Sequence, residues 1–232
     1  MYAFQHGIIA SGSGGGAINT LWDGLLAYYT ADNTPNDALG TYNGTLVNGA
    51  TYGTGIINEG FSLDGVNDYV NFGNVLDFDG STPFSFNFWA NPSVVGNKNI
   101  INKWTNLNTG YIIYFYASKI EFAIQNTSPT NALLVNTVNT YSTGMQMFTI
   151  TYDGSKTPSG IKIYQNANNQ TLNTVRNTLT GSTSTTADFN LGRLQSGVGW
   201  YDGILDEIGC WGRVLTPTEV TELYNSGAGK QY

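Results

Sequence analysis

The chain has 232 residues, of which 11% are charged and 13% aromatic, with 29 glycines; that mix favours strands and turns and leaves too little Lys, Glu and Ala for a helical bundle. Its formal charge is −7, with 9 basic against 16 acidic residues, so it lacks the clustered cations with which nucleic acids and anionic membranes are bound. The single cysteine, Cys210, and single histidine, His6, exclude an internal disulfide, a Ser-His-Asp or Cys-His device within the fold, and His/Cys zinc sites.

Residues 1–20 read as a tail. Its apolar part has no Lys or Arg before it and is too short and broken for an export signal, and a Ser/Gly linker follows. Two readings of the tail stay open: a disordered terminus, or an anchor in which Tyr2, Phe4, Ile8 and Ile9 add to a sheet edge or fill a groove on a larger protein assembly. No later stretch is apolar for long enough to span a membrane, and residues 21–232 suit one domain.

From Leu25 onward, strands alternate with turns. Leu25 to Thr30 is a first strand, ended by Asp32, Asn33 and Pro35. Gly60 to Asp64 and Asp68 to Phe72 flank a Gly65 turn, and both alternate with period two. Phe84 to Pro92 alternates more cleanly, with Phe84, Phe86 and Phe88 on one face and Ser85, Asn87 and Trp89 on the other, the pattern of a half-buried antiparallel strand. Further strands are expected at Asn99 to Trp104, Gly110 to Tyr116, Lys119 to Ile124, Ala132 to Val135, Met145 to Tyr152 and Gly160 to Tyr164. Loops are expected at Gln125 to Asn131, Asn166 to Asn173 and Thr178 to Thr186.

A long ribbon from Trp200 to Leu215 leads into the one helix. Thr216 can accept from the Glu219 N–H while Glu219 reaches back to Thr216, and Pro217 sits where a missing N–H costs nothing. Val220, Leu223 and Tyr224 share a stripe, and Gly227 is the expected left-handed stop. The fold expected is all-β: a two-sheet antiparallel β-sandwich of the jelly-roll kind with one short C-terminal helix.

In series, Tyr28-Tyr29 with Asp32, Phe61-Ser62-Leu63-Asp64-Gly65, Phe84 to Trp89, Phe148 to Gly154, Leu191-Gly192-Arg193 and Tyr201 to Leu215 resemble the laminin-G-like domains of the concanavalin-A-like lectin and glucanase superfamily. The resemblance implies a recognition or adhesion module as readily as a hydrolase. The hydrolases' alternating Glu-x-Asp carboxylate run is missing here, and Glu121 with Glu207 is the only conceivable catalytic pair. The resemblance also implies a structural calcium ion held by Asp32, Asp206 and carbonyls near Gly60 to Gly65, a set whose chemistry suits the ion; the alternative is that Asp32 caps a turn and Asp206 hydrogen-bonds backbone.

Sugar binding needs an aromatic face beside planar polar groups. The candidates are Trp104, Tyr111 and Trp200, with Arg193 near in sequence, and Trp200 leads because the glycines before it remove neighbouring side chains and leave its ring exposed; Trp89 and Trp211 are assigned to packing. The function expected is non-catalytic recognition of a glycan or cell-surface ligand. The tail and the uncharged surface resemble bacteriophage virion-surface proteins, which implies a virion-surface or extracellular location. A structural decoration protein and a glycoside hydrolase are the alternatives.

Overall fold

The computed structural model describes residues 20–105, 109–127, 130–194, 196–197 and 199–232. In chain order the first strands are β1 (Leu25–Tyr29), β2 (Thr45–Val47), β3 (Thr51–Thr54), β4 (Glu59–Asp64), β5 (Tyr69–Asn71), β6 (Phe84–Pro92), β7 (Lys98–Trp104) and β8 (Gly110–Tyr116). They continue as β9 (Lys119–Thr127), β10 (Asn131–Thr137), β11 (Gln146–Tyr152), β12 (Ile161–Gln165), β13 (Asn168–Asn169), β14 (Leu172–Asn177), β15 (Phe189–Leu191) and β16 (Asp202–Trp211), and helix α1 (Pro217–Tyr224) follows.

The strands form two antiparallel sheets that stack as a sandwich. The first runs β13-β12-β11-β6-β16-β4-β3, with β1 also on β16; the second runs β14-β10-β9-β8-β7-β15-β5-β2. Between them the rings of Phe84, Phe86, Phe88 and Phe148 from the first sheet meet Tyr111, Phe115, Phe122 and Phe189 from the second. Burying such aromatics supplies most of the driving force, since each removes a large apolar area from water.

The two outer faces differ, and that difference positions the site. On the first sheet, Tyr28, Trp89, Met147, Tyr164 and Trp211 are covered by Val220 and Leu223 of α1 and by Leu21. Trp89 stacks on Tyr224 at 5.7 Å, and Trp211 donates its indole N–H to the Leu21 carbonyl at 2.8 Å. Strand β6 is therefore buried on both faces rather than half-buried as its alternation suggested. The second sheet has no such cover among the described elements.

Helix α1 begins as its sequence dictates. Thr216 Oγ1 accepts from the Glu219 N–H at 3.3 Å, and Glu219 Oε2 accepts from the Thr216 N–H at 2.8 Å. Glu219 also receives Arg213 at 2.7 Å. The stop comes earlier than expected: Asn225, with φ 47°, turns left-handed two residues before Gly227. Asn tolerates that conformation because its short side chain bonds locally, here to the Gly229 carbonyl at 2.8 Å. The expected loop over Asn166 to Asn173 is partly strand, since it holds β13 and the start of β14. Its Asn- and Thr-rich composition hid edge strands whose side chains face water.

Candidate functional site

The open face of the second sheet carries a trench that can be read from strand register. Its floor is the row Asn102, Ile112, Ala123, Leu134 and Arg176, opposed in turn across β7, β8, β9, β10 and β14. At a strand spacing of about 4.8 Å this row crosses roughly 19 Å. One wall is the next row, Trp104, Gly110, Gln125 and Ala132. The other is Asn99, Tyr114, Glu121 and Asn136. Leu194, in the segment after β15, packs on the same apolar patch of Trp104, Ile112 and Ala123. The hollow they enclose holds about 320 Å³ and is lined by Trp104, Tyr114, Gln125 and Arg176 among others.

Its chemistry is that of a surface built to meet a polar ligand with an apolar face. Gln125 is 4% exposed, and its Nε2 has no hydrogen-bond partner. Asn102 is fully buried with neither amide atom partnered. Such orphans cost roughly 1–3 kcal/mol each. Tyr114 Oη donates to Glu121 Oε2 at 2.5 Å, and Asn136 Nδ2 donates to Glu121 Oε1 at 2.8 Å, so the buried carboxylate is held within the wall.

Of the residues singled out from sequence for a ligand, Trp104 lines this trench. Arg193 and Trp200 do not line it and gather instead at β5, which β15 separates from β7: the guanidinium lies 4.0 Å over the Tyr69 ring, and Trp200 sits 6.1 Å from Tyr69. Tyr111 is a correction. It pairs with Lys103 and Ile124, points into the inter-sheet core, is fully buried, and donates its hydroxyl to the Leu76 carbonyl at 2.8 Å. Sequence reasoning missed Tyr114, Gln125 and Arg176. The alternation Ile112/Tyr114 and Ala123/Gln125 was a usable signal, but it does not say which face stays open.

A larger depression of about 740 Å³ lies near Asn74, Asp77 and Thr185. Its acceptors are engaged: Asp77 Oδ1 takes the Thr185 N–H at 3.0 Å, and Asn74 Oδ1 takes Lys103 Nζ at 2.7 Å. Burial pushes the Lys103 amine below its ordinary range, partly offset by Asp77 and Asp188. Among the described residues, Gln125 Nε2 on the trench lining is a buried side-chain atom without a partner and the lining of this depression has none, and for that reason the trench is the better candidate.

The acidic residues expected to hold calcium do not fit that ion. Asp206 is fully buried; Oδ2 accepts the N–H groups of Ile56 and Ile57 at 2.7 and 3.2 Å, and Oδ1 that of Glu207 at 2.8 Å. Asp32 accepts from Glu59 N–H at 3.1 Å, Asn58 Nδ2 at 3.3 Å and Gln231 Nε2 at 2.8 Å. These oxygens face protein donors, whereas calcium requires them turned toward a shared centre. Gly65 sits in the β4–β5 turn against Asp202, at the far end of β16 from Asp206, roughly 13 Å along the strand.

Burial pushes Asp206 up to about 7 despite its three N–H bonds. Burial, with the Asp206 and Asp32 charges, takes Glu207 up to about 8 against opposing bonds from Tyr28 and Gln231. Glu207 and Glu121 cannot act as a catalytic pair. Glu207 meets Tyr28 on the covered face of the first sheet and Glu121 lies on the open face of the second, so the whole sandwich, about 10 Å between sheets, separates them. Glycosidase carboxyls stand about 5–9.5 Å apart with the sugar between them. Cys210 is buried in the core with its thiol pushed up by burial. Tyr2, Phe4, Ile8 and Ile9 lie outside the described residues.

Residues 64–221 match the family described as the concanavalin A-like lectin/glucanases superfamily. No curated protein matches the sequence. In structure the chain is similar to the binding domain of Paraclostridial Mosquitocidal Protein 1 (TM-score 0.68, 17% identity, 89% of this chain and 53% of that one). It is similar to the botulinum neurotoxin serotype G binding domain (TM-score 0.62, 18% identity, 83% and 48%). It is also similar to domain 4 of a GH43 extracellular arabinanase from Geobacillus stearothermophilus in complex with arabinotriose (TM-score 0.55, 19% identity, 85% and 97%). The chain spans about half the length of the two toxin domains. No helix among the described residues is long and apolar enough to cross a membrane.

Proposed function

The chain belongs to the concanavalin A-like lectin/glucanases superfamily, and on that premise we propose that it is a non-catalytic carbohydrate-binding module whose site is the trench on the open face of the second sheet. The observation that carries this reading is the buried, unpartnered amide Nε2 of Gln125 beside the Trp104 ring in one hollow. A pyranose offers an apolar face to an aromatic ring and a rim of hydroxyls to amides, so the two groups together suit a sugar better than either a purely apolar ligand or an ion. The neighbouring arabinanase domain was solved with arabinotriose, and the toxin neighbours are themselves binding domains, which supports recognition over turnover.

The test is a glycan array probed with the wild-type chain and with Trp104→Ala. Binding to a defined set of glycans that disappears in Trp104→Ala, with melting unchanged to within a few degrees, supports the proposal. Binding that survives that substitution places the ligand elsewhere, and silence across the array favours a decoration role in which the sandwich contacts only protein. Exposure of the module on a virion or outside a cell, with the peptide from Tyr2 to Ile9 docking to a larger assembly, would suit such a role. Pull-down with the full chain against one starting at Leu21 tests that docking.

A further inference from the structure

Resting on that reading of the trench, we infer that its ligand is an N-acetylated sugar, with the acetamido carbonyl accepting from Gln125 Nε2 and the acetamido methyl packed on the aliphatic floor. Gln125 stands directly across from Gly110 on β8 and from Ala132 on β10. Ala123, two residues before it on the same face of β9, is flanked in the same way by Ile112 and Leu134. None of these neighbours has a side chain that can accept the Gln125 amide protons, and the amide nitrogen of this residue, 4% exposed, has no partner. Other polar groups on the lining are engaged: Asn99 donates to the Gly199 carbonyl at 2.9 Å, Tyr114 donates to Glu121 at 2.5 Å, and Arg176 has an interaction within the chain.

A buried donor without a partner is a cost that a ligand acceptor would remove. What stands beside this donor is hydrocarbon, from Ile112, Ala123, Leu134 and Leu194, all on the lining of the same hollow. A sugar hydroxyl can accept from the amide, but the hydroxyls next to it on the ring would lie against that hydrocarbon and give up water without return. An acetamido group carries a carbonyl acceptor and a methyl on one planar unit, so it meets the donor and the hydrocarbon together. The pyranose that bears it keeps one face for the Trp104 ring. The hollow, about 320 Å³, is at the small end of ligand pockets and suits one substituted ring.

Calorimetric titration with two matched pairs tests this: chitotetraose against cellotetraose, and methyl N-acetylgalactosaminide against methyl galactoside. Within each pair the sugars differ only in carrying an acetamido group or a hydroxyl at the second carbon. The wild-type chain is expected to bind at least one acetamido member about tenfold or more tightly than its hydroxyl counterpart, the size expected where a buried donor gains its sole partner. Gln125→Leu should bring the members of that pair within about twofold without lowering the melting temperature, since it removes the orphaned amide and nearly keeps its volume. Equal affinity within both pairs, or a preference that survives Gln125→Leu, overturns the inference. A fall in melting temperature of more than a few degrees in Gln125→Leu would show the amide to be partnered and overturns it as well. Where neither acetamido probe binds but other glycans on the array still bind and are lost in Trp104→Ala, the acetamido class fails and the trench stands; where no saccharide binds, both fail.

Discussion

Trp104 and Gln125 flank Gly110 in a single row across β7, β8 and β9, so the indole and the amide face each other over a residue with no side chain. The gap is enforced by the backbone. Gly110 has φ +124°, and a Cβ there would stand 1.9 Å from the Lys103 carbonyl oxygen. The notch between the ring and the amide is thus built into the strand pairing and does not depend on side-chain choice.

Gly110→Ala is therefore expected to be costly twice over. Backbone strain and the collision with Lys103 should lower stability by about 2–4 kcal/mol, read as an earlier urea midpoint with unchanged slope. A midpoint within experimental error of wild type would contradict the geometry of this row.

Asn102 leads to a prediction of the opposite sign. Its buried, unpartnered amide is a standing cost, so Asn102→Leu, near in volume and without polar atoms, is expected to raise stability by about 1 kcal/mol. Thermal melting checks it; a loss of more than that amount would mean that the amide has a partner the account omits.

Stability should depend on pH through Tyr28 and Glu207. Tyr28 Oη approaches both Glu207 Oε2 and the Lys230 carbonyl, the latter at 2.9 Å, yet a hydroxyl has one proton to give. Tyr28 donates to Glu207, and burial with the Asp206 and Asp32 charges outweighs that bond. Glu207 rises from 4.5 to about 8 and Asp206 from 3.8 to about 7 on folding. The folded state then holds protons that the unfolded state has released, so stability falls as pH rises from about 4.5 to about 8. A loss of about 2–4 kcal/mol between roughly pH 5 and pH 9 is expected, with Glu207→Gln flattening that slope.

Glu219 works the other way. Burial pushes its carboxyl up, but bonds from Arg213 and Thr216 outweigh that and hold it at about 2. Its contribution is complete above the usual carboxylate range and is lost as pH falls through about 2. Arg213→Leu should therefore weaken acid resistance while leaving the alkaline limb unchanged, which melting curves across pH would show.

Chelation should have no effect. Because Asp32 and Asp206 are satisfied by N–H donors of the protein itself, melting with calcium and with chelator should coincide. A stabilisation by calcium of several degrees would require those carboxylates to rearrange around the ion.

Much of the fold was legible because its signals are local. The Phe84-to-Pro92 alternation marks β6 to its last residue, and Thr216, Pro217 and Glu219 specify the start of α1. Strand β14 was less legible because five of its six residues are exposed and carry no apolar alternation. The site was legible only in part, for a physical reason: period two assigns Ile112 and Tyr114 to one face but cannot say whether a helix covers it. Tyr111, next in line between them and Gly110, looked equally eligible and belongs to the core. That α1 packs on Trp89 and Trp211, leaving Trp104 and Gln125 open, is decided by tertiary packing alone.

The most direct test of the account is amide and indole NMR mapping of the folded chain during titration with a glycan selected on the array. The account predicts shift changes concentrated at Trp104, Ile112, Ala123, Gln125 and Leu134, with the Trp89 and Trp211 indoles unmoved. Saturable binding whose shifts fall on the α1-covered face or the sandwich ends, with the trench silent, would contradict it.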